Sequence, residues 1–197
     1  MKLVFASSNK NKIRELNALM GEEIELMGLE DIGCKEEIPE TAPTIEGNAL
    51  QKARYVYNHF GWNCFADDTG LEVEALGGKP GVYSARYAGE EKNADKNMQK
   101  VLKELSGQTN RKARFRTVIA LIIEGKELCF EGEVNGEILE AKQGEMGFGY
   151  DPVFRPEGSV KSFAEMNLEE KNKISHRALA VNKLVDYLKF QISLSGA

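Results

Sequence analysis

An α/β fold, in which helices flank a mixed β-sheet, is predicted by two features of the sequence. Short apolar runs alternate with segments of helical spacing over the first hundred residues, and two long β segments then follow one another near residues 113–134. No repeat, low-complexity tract or Pro/Gly/Ser-rich linker interrupts them, so residues 1–197 are read as a single domain.

Leu3–Ala6 reads as a buried strand, broken by Ser7-Ser8-Asn9. A helix follows, with Ile13, Leu16, Leu19 and Met20 on one face and Gly21 as its stop. Ile24–Leu29 is a second strand. Residues 44–60 form a helix whose stripe is Ala49, Leu50, Ala53, Val56, Tyr57 and Phe60, ended by Gly61. Asn63–Ala66 is a short strand running into Asp67-Asp68-Thr69-Gly70, and Gly77–Gly81 is a loop. Met98, Val101, Leu102 and Leu105 mark a helix over 95–105. Strands are expected at 113–123 and 127–134, turning at Glu124-Gly125-Lys126, and Asn135-Gly136 signals a further hairpin into a third segment. Gly144–Asp151 is a Gly-rich loop. Asn167 and Glu170 are spaced as a capping box, and Ala178, Val181, Val185, Leu188 and Ile192 stripe a last helix.

The chain is 42% hydrophobic and 29% charged, with a formal net charge of −5. A general nucleic-acid binder shows a basic face, and this balance argues against that role. Small anions remain eligible, because a few local cations bind phosphate whatever the global sign. Three cysteines without CxxC spacing, Cys34, Cys64 and Cys129, argue against a disulfide framework or a zinc site and are read as small buried hydrophobes. The clean apolar run Val118–Ile123 is far shorter than the roughly 20 residues that span a bilayer. Together with an N-terminus lacking a signal-peptide pattern, this predicts a cytoplasmic protein with no membrane partner.

Five segments carry residue types suited to chemistry. Ser7-Ser8-Asn9-Lys10-Asn11-Lys12 precedes a helix, where outward N–H groups suit phosphate oxygens, hydroxyls add donors and Lys12 adds charge; no Walker A loop is present. Asp67 and Asp68 are adjacent at a strand end, so their carboxylates face different ways: one can reach a metal or a water, the other can orient a neighbouring donor. Glu40 can join such a site, since Mg²⁺ takes one or two protein carboxylates, but Glu36, Glu37 and Glu46 lie nearby. In Gly147-Phe148-Gly149-Tyr150-Asp151, glycines allow close backbone approach, an aromatic can stack on a base and Asp151 can accept hydrogen bonds from it. Lys171, His176 and Arg177 surround the start of the last helix, and Arg86 is a further cation for the same anion or carbonyl, or one half of a buried ion pair.

In combination these motifs carry more than each does alone. SSNKNK, PET…T…GNA..KA, FADDTGLEV.AL.G.PG.YSAR, GFGYDP.F and EEKN.ISHR, in that order from Ala6 to Arg177, resemble the inosine triphosphate pyrophosphatase family. That family commonly has Thr-Gly-Asn where this chain has Ser7-Ser8-Asn9, and serine where it has Thr69; the hydroxyls are kept at Ser7 and Thr69.

The resemblance implies an elongated fold of two lobes around a central cleft, usually a homodimer. It implies Mg²⁺-dependent hydrolysis of purine nucleoside triphosphates carrying hypoxanthine or xanthine to the monophosphate and pyrophosphate. By position, residues Ser7, Ser8, Asn9, Lys10, Asn11 and Lys12 would bind the triphosphate, and Glu40 and Asp68 would hold the metal. Asp68 would also accept a proton from the attacking water, Thr69 would contact substrate, and Phe148, Gly149, Tyr150 and Asp151 would line the base site, completed by Lys171, His176 and Arg177. A donor from Arg177 would read the purine 6-carbonyl. Two other readings compete: a nucleotide sensor on the same fold, which could dispense with the acids, and a Maf-like pyrophosphatase for other modified nucleotides.

Overall fold

The computed structural model describes residues 1–20 and 23–195; the expected helix stop at Gly21 lies outside them. The apolar run Leu3–Phe5 makes the buried strand β1 (Lys2–Phe5). Asn9 caps helix α1 (Lys10–Asn17), its side chain accepting from the N–H groups of Asn11 and Lys12. Strand β2 (Glu25–Met27) pairs parallel with β1. Thr44 caps helix α2 (Ile45–Phe60) through the Gly47 N–H, and Gly61 closes it with φ 70°, the stop expected from the sequence.

Strand β3 (Cys64–Val73) departs from expectation. Asp67-Asp68-Thr69-Gly70 does not end the strand; the strand runs through it. Acids are poor strand formers when solvated, but here they are paired inside the protein, as described below, and the ladder continues. Strand β4 (Pro80–Gly81) lies antiparallel on its far end. Helix α3 (Ala94–Glu104), capped by Asn93, precedes the long strands β5 (Lys112–Ile123) and β6 (Lys126–Ile138), with Glu124 and Gly125 at positive φ between them.

The hairpin expected at Asn135-Gly136 is not formed. Both residues lie inside β6, where Gly136 pairs with Pro156 of strand β7 (Phe154–Pro156). A Cβ there would lie 2.3 Å from the Arg155 carbonyl oxygen and 2.7 Å from the Phe154 ring. The glycine serves close strand approach, and composition alone does not distinguish that from a turn. The Asn167–Glu170 capping box forms as expected at the start of helix α4 (Leu168–Ile174), and helix α5 (His176–Ser195) follows Ser175.

Among the described residues the strands form a seven-stranded mixed sheet, in the order β2-β1-β3-β5-β6-β7 with β4 on β3, accompanied by five α-helices. The chain divides into two compact units. The first comprises residues 1–68, 117–132 and 177–197; its core joins Leu3, Phe5 and Phe65 to Leu16, Ile119, Leu121 and the buried face of α5 (Val181, Leu184, Leu188). The second comprises residues 69–116 and 133–176, with Leu71, Met98, Val101, Phe115, Phe154 and Phe163 at its centre. Apolar burial on this scale, at about 25 cal/mol per Å², is the main force holding each unit. Cys34 and Cys64 are buried as expected, whereas Cys129 is exposed on β6, where alternate residues turn to solvent.

Candidate active site

In the first unit, a charged cluster gathers around the middle of β3. Side-chain alternation sends its two aspartates to different partners. Asp67, 1% exposed, accepts from Lys12 Nζ on Oδ1 at 2.9 Å and from Arg177 Nε on Oδ2 at 3.1 Å. Arg177 is itself buried and also pairs with Glu15 of α1. Asp68 faces α2: Lys52 Nζ lies 3.4 Å from Oδ1, and Asn48 Nδ2 donates to Oδ2 at 3.4 Å. Lys52 Nζ also donates to Glu40 at 2.5 Å and to the Asp67 carbonyl at 2.8 Å. Glu40 and Asp68, distant in sequence, thus converge on one ammonium group.

The loop carrying Glu40 is fixed by α2. The Ala42 N–H donates to Asn48 Oδ1, and Gln51 both receives the Thr41 N–H and donates to its hydroxyl. Lys52, Asn48 and Glu15 also belong to the cluster, although none is conspicuous in the sequence as a site residue. The available signal was a polar side chain on a buried helix face: Asn48 and Lys52, four apart, flank the buried Ala49 and Ala53 on α2.

The electrostatics separate the adjacent acids. Burial alone would raise the pKa of Asp67, but Lys12, Arg177 and Lys52 outweigh it and hold the carboxyl far below its ordinary range. Asp68 moves the opposite way: burial raises it, with help from Glu40 and Asp67, and Lys52 and Lys12 do not fully offset that. Lys52 stays protonated despite burial, because Asp68, Glu40 and Asp67 surround it. Neighbouring carboxylates pushed apart in this way are suited to different tasks, one a fixed counter-ion and the other a proton acceptor.

The turn from Ser7 to Lys12 is partly open to solvent, with Ser8, Asn9, Lys10 and Asn11 exposed. The Ser7 hydroxyl accepts from the Asn9 N–H at 3.2 Å, and Asn9 Oδ1 holds the amides of Asn11 and Lys12. The Asn11 and Lys12 amides at this helix start are thus already engaged by Asn9.

In the second unit, the Gly-rich loop is organised from beneath. Asp151, 3% exposed, accepts on Oδ2 from Lys171 Nζ at 2.6 Å and from the Phe148 N–H at 2.8 Å. Gly147 has φ 76°, and a Cβ there would lie 2.1 Å from that same oxygen, so only glycine fits. Lys171 Nζ also sits 4.9 Å from the Phe148 ring centroid, a cation–π contact. His176 is buried and stacks on Phe115 at 4.5 Å. Phe148 and Gly149 stay half-exposed above these anchors. Lys171, Ser175, His176 and Arg177 are all buried, which an ordinary solvated helix start would not be.

The structure thus brings Lys12, Glu40, Asp67, Asp68 and Arg177 into one cluster of the first unit, and Phe148, Asp151 and Lys171 into one group of the second, where Thr69, Tyr150 and His176 also lie. The chain crosses between the units four times, after Asp68, Arg116, Gly132 and His176.

A family model described as the Ham1 family matches residues 3–187. A Flavobacterium johnsoniae protein named dITP/XTP pyrophosphatase is 61% identical over 95% of this chain and 98% of its own length. One of the same name from Porphyromonas gingivalis is 56% identical over 95% and 97%. Among solved structures, the Staphylococcus aureus Ham1 protein superimposes with a TM-score of 0.89 at 38% identity, covering 97% of this chain and all of that one. A nucleoside-triphosphatase / dITP/XTP pyrophosphatase from Mycobacterium abscessus gives 0.77 at 41% identity, covering 94% and 99%.

Proposed function

The chain belongs to the Ham1 family, and on that premise we propose that it is a nucleoside triphosphate pyrophosphatase that hydrolyses non-canonical purine nucleotides to the monophosphate and pyrophosphate. The observation that carries the reading is the pair Asp67–Asp68, held among Lys12, Lys52 and Arg177 and pushed in opposite pKa directions. A binding module would need the cations but could dispense with Glu40 and Asp68 beside them.

The donor set fits a hard divalent cation. Glu40 and Asp68 flank one ammonium, that of Lys52, and the cluster holds four carboxylates (Glu15, Glu40, Asp67, Asp68) against three cations (Lys12, Lys52, Arg177). Such a net negative oxygen site suits Mg²⁺, which completes its coordination with water and substrate phosphate. Glu40 and Asp68 would hold it, and when bound it would neutralise phosphate charge and orient the triphosphate.

The chain's own residues supply the rest. Ser7, Ser8, Asn9, Lys10, Asn11 and Lys12 bind the triphosphate, phosphate oxygens taking a share of the amides capped by Asn9. Asp68 takes the proton of a water that attacks the α-phosphorus; the bond from that phosphorus to the bridging oxygen breaks, and pyrophosphate leaves. Lys52 holds Asp68 and Glu40 in place, and Asp67 fixes Lys12. Thr69, Phe148, Gly149, Tyr150, Asp151, Lys171 and His176 serve the base and sugar, with the half-exposed Phe148 ring offered for stacking. Arg177, held by Glu15 and Asp67, donates to the purine 6-carbonyl. The same reading includes a homodimer in the cytoplasm that binds neither nucleic acid nor membrane; no helix of the described residues is long and apolar enough to cross a bilayer. Hydrolysis of inosine triphosphate in ¹⁸O-water tests the bond cleaved: the label is expected in the monophosphate, and label in pyrophosphate or orthophosphate alone would overturn α-phosphorus attack.

A further inference from the structure

Ser84 belongs to none of the groups assigned above, yet it makes three hydrogen bonds within the second unit. Its hydroxyl accepts from the Leu71 N–H at 2.8 Å and donates to the Gly81 carbonyl at 2.6 Å. Its own carbonyl accepts from the Tyr150 hydroxyl at 2.8 Å. Ser84 is 7% exposed and Tyr150 5%, so water does not readily replace these partners. The turn carrying Ser84 is clamped again by buried Asn97 of α3, which donates to the Ala85 carbonyl and accepts from the Ala88 N–H.

We propose that Ser84 is a positioning residue for base recognition, which locks the β3 segment after Thr69 and the loop 147–151 into one register. The argument rests on the functional reading above, in which Thr69 and Phe148–Asp151 contact substrate. Leu71 is two residues beyond Thr69 on β3, and Tyr150 lies between Gly149 and Asp151. Gly147 and Gly149 have positive φ, which glycine permits but does not impose, and two side-chain anchors add to the definition of the loop. One anchor is Asp151, bound to Lys171 and the Phe148 amide. The other is the Tyr150 hydroxyl, directed to Ser84. Tyr150 therefore serves the site by fixing the backbone that a ligand meets.

The test compares wild type with Ser84→Ala, Tyr150→Phe and the double variant, using steady-state hydrolysis of inosine triphosphate and amide hydrogen exchange. Tyr150→Phe removes one oxygen and keeps the buried ring, so it decides the question should Ser84→Ala fail to fold. Each single change is expected to raise KM about tenfold with kcat within about twofold, the pattern of lost ligand positioning. The double variant should fall short of the product of the two, because both act through one junction. Exchange should quicken in 147–151 and in 69–71 together. An unchanged KM, or a kcat that falls only with the folded fraction, would overturn the proposal. Should wild type leave inosine triphosphate intact, the functional reading fails instead, and exchange decides alone: joint quickening upholds the junction, and quickening confined to one segment refutes it.

Discussion

At the scale of single residues, the account turns on two neighbouring aspartates with unlike tasks. Asp68→Asn keeps the volume and one accepting oxygen, for Asn48 or for Lys52, but cannot take a proton, so kcat is expected to fall at least 10²-fold while the protein still folds. Asp67→Asn leaves Lys12 and Arg177 short of a buried counter-charge and should cost about 3–5 kcal/mol of stability, measured by urea unfolding. Loss of activity without loss of stability in Asp67→Asn would mean the two have been assigned the wrong way round. Cys64 offers a separate check. Burial pushes its thiol up to about 12, so folding favours the neutral form. That contribution is complete below about pH 9 and is lost as pH rises from there toward 12. The stability difference between wild type and Cys64→Ala should shrink by about 1.4 kcal/mol between pH 7 and 10; an unchanged difference would show that the thiol is not shielded. The sequence displayed the acids plainly, because two adjacent carboxylates after an apolar run are conspicuous. It did not display Lys52 or Glu15, whose roles exist only once helix faces are turned inward.

At the scale of elements, motif order and apolar periodicity gave the helices, their caps and most strands close to their observed bounds. Capping and stop signals such as Thr44, Gly61 and the Asn167–Glu170 box are local chemistry and can be read locally. Two of the departures were non-local. The Asp67–Gly70 segment remains a strand because cations from α1, α2 and α5 neutralise it, and Gly136 lies in mid-strand because β7 approaches it closely. Gly136→Ala should therefore destabilise the second unit by roughly 1–3 kcal/mol through overpacking. Thermal melting checks this; a neutral result would restore the turn reading of Asn135-Gly136.

At the scale of the whole molecule, the candidate site draws on segments spread through the chain, from Ser7 to Arg177, and the fold gathers them into a charged cluster in one unit and a group around the Gly-rich loop in the other. Family relatedness over nearly the full length supports a common activity. The most direct measurement is product analysis of the purified protein with Mg²⁺ and ITP, dITP, XTP, ATP and GTP, resolving pyrophosphate from orthophosphate. The account predicts monophosphate and pyrophosphate from the first three, ATP and GTP nearly untouched, and no turnover by Asp68→Asn. Orthophosphate as the first product, or tight nucleotide binding with no turnover at all, would contradict it.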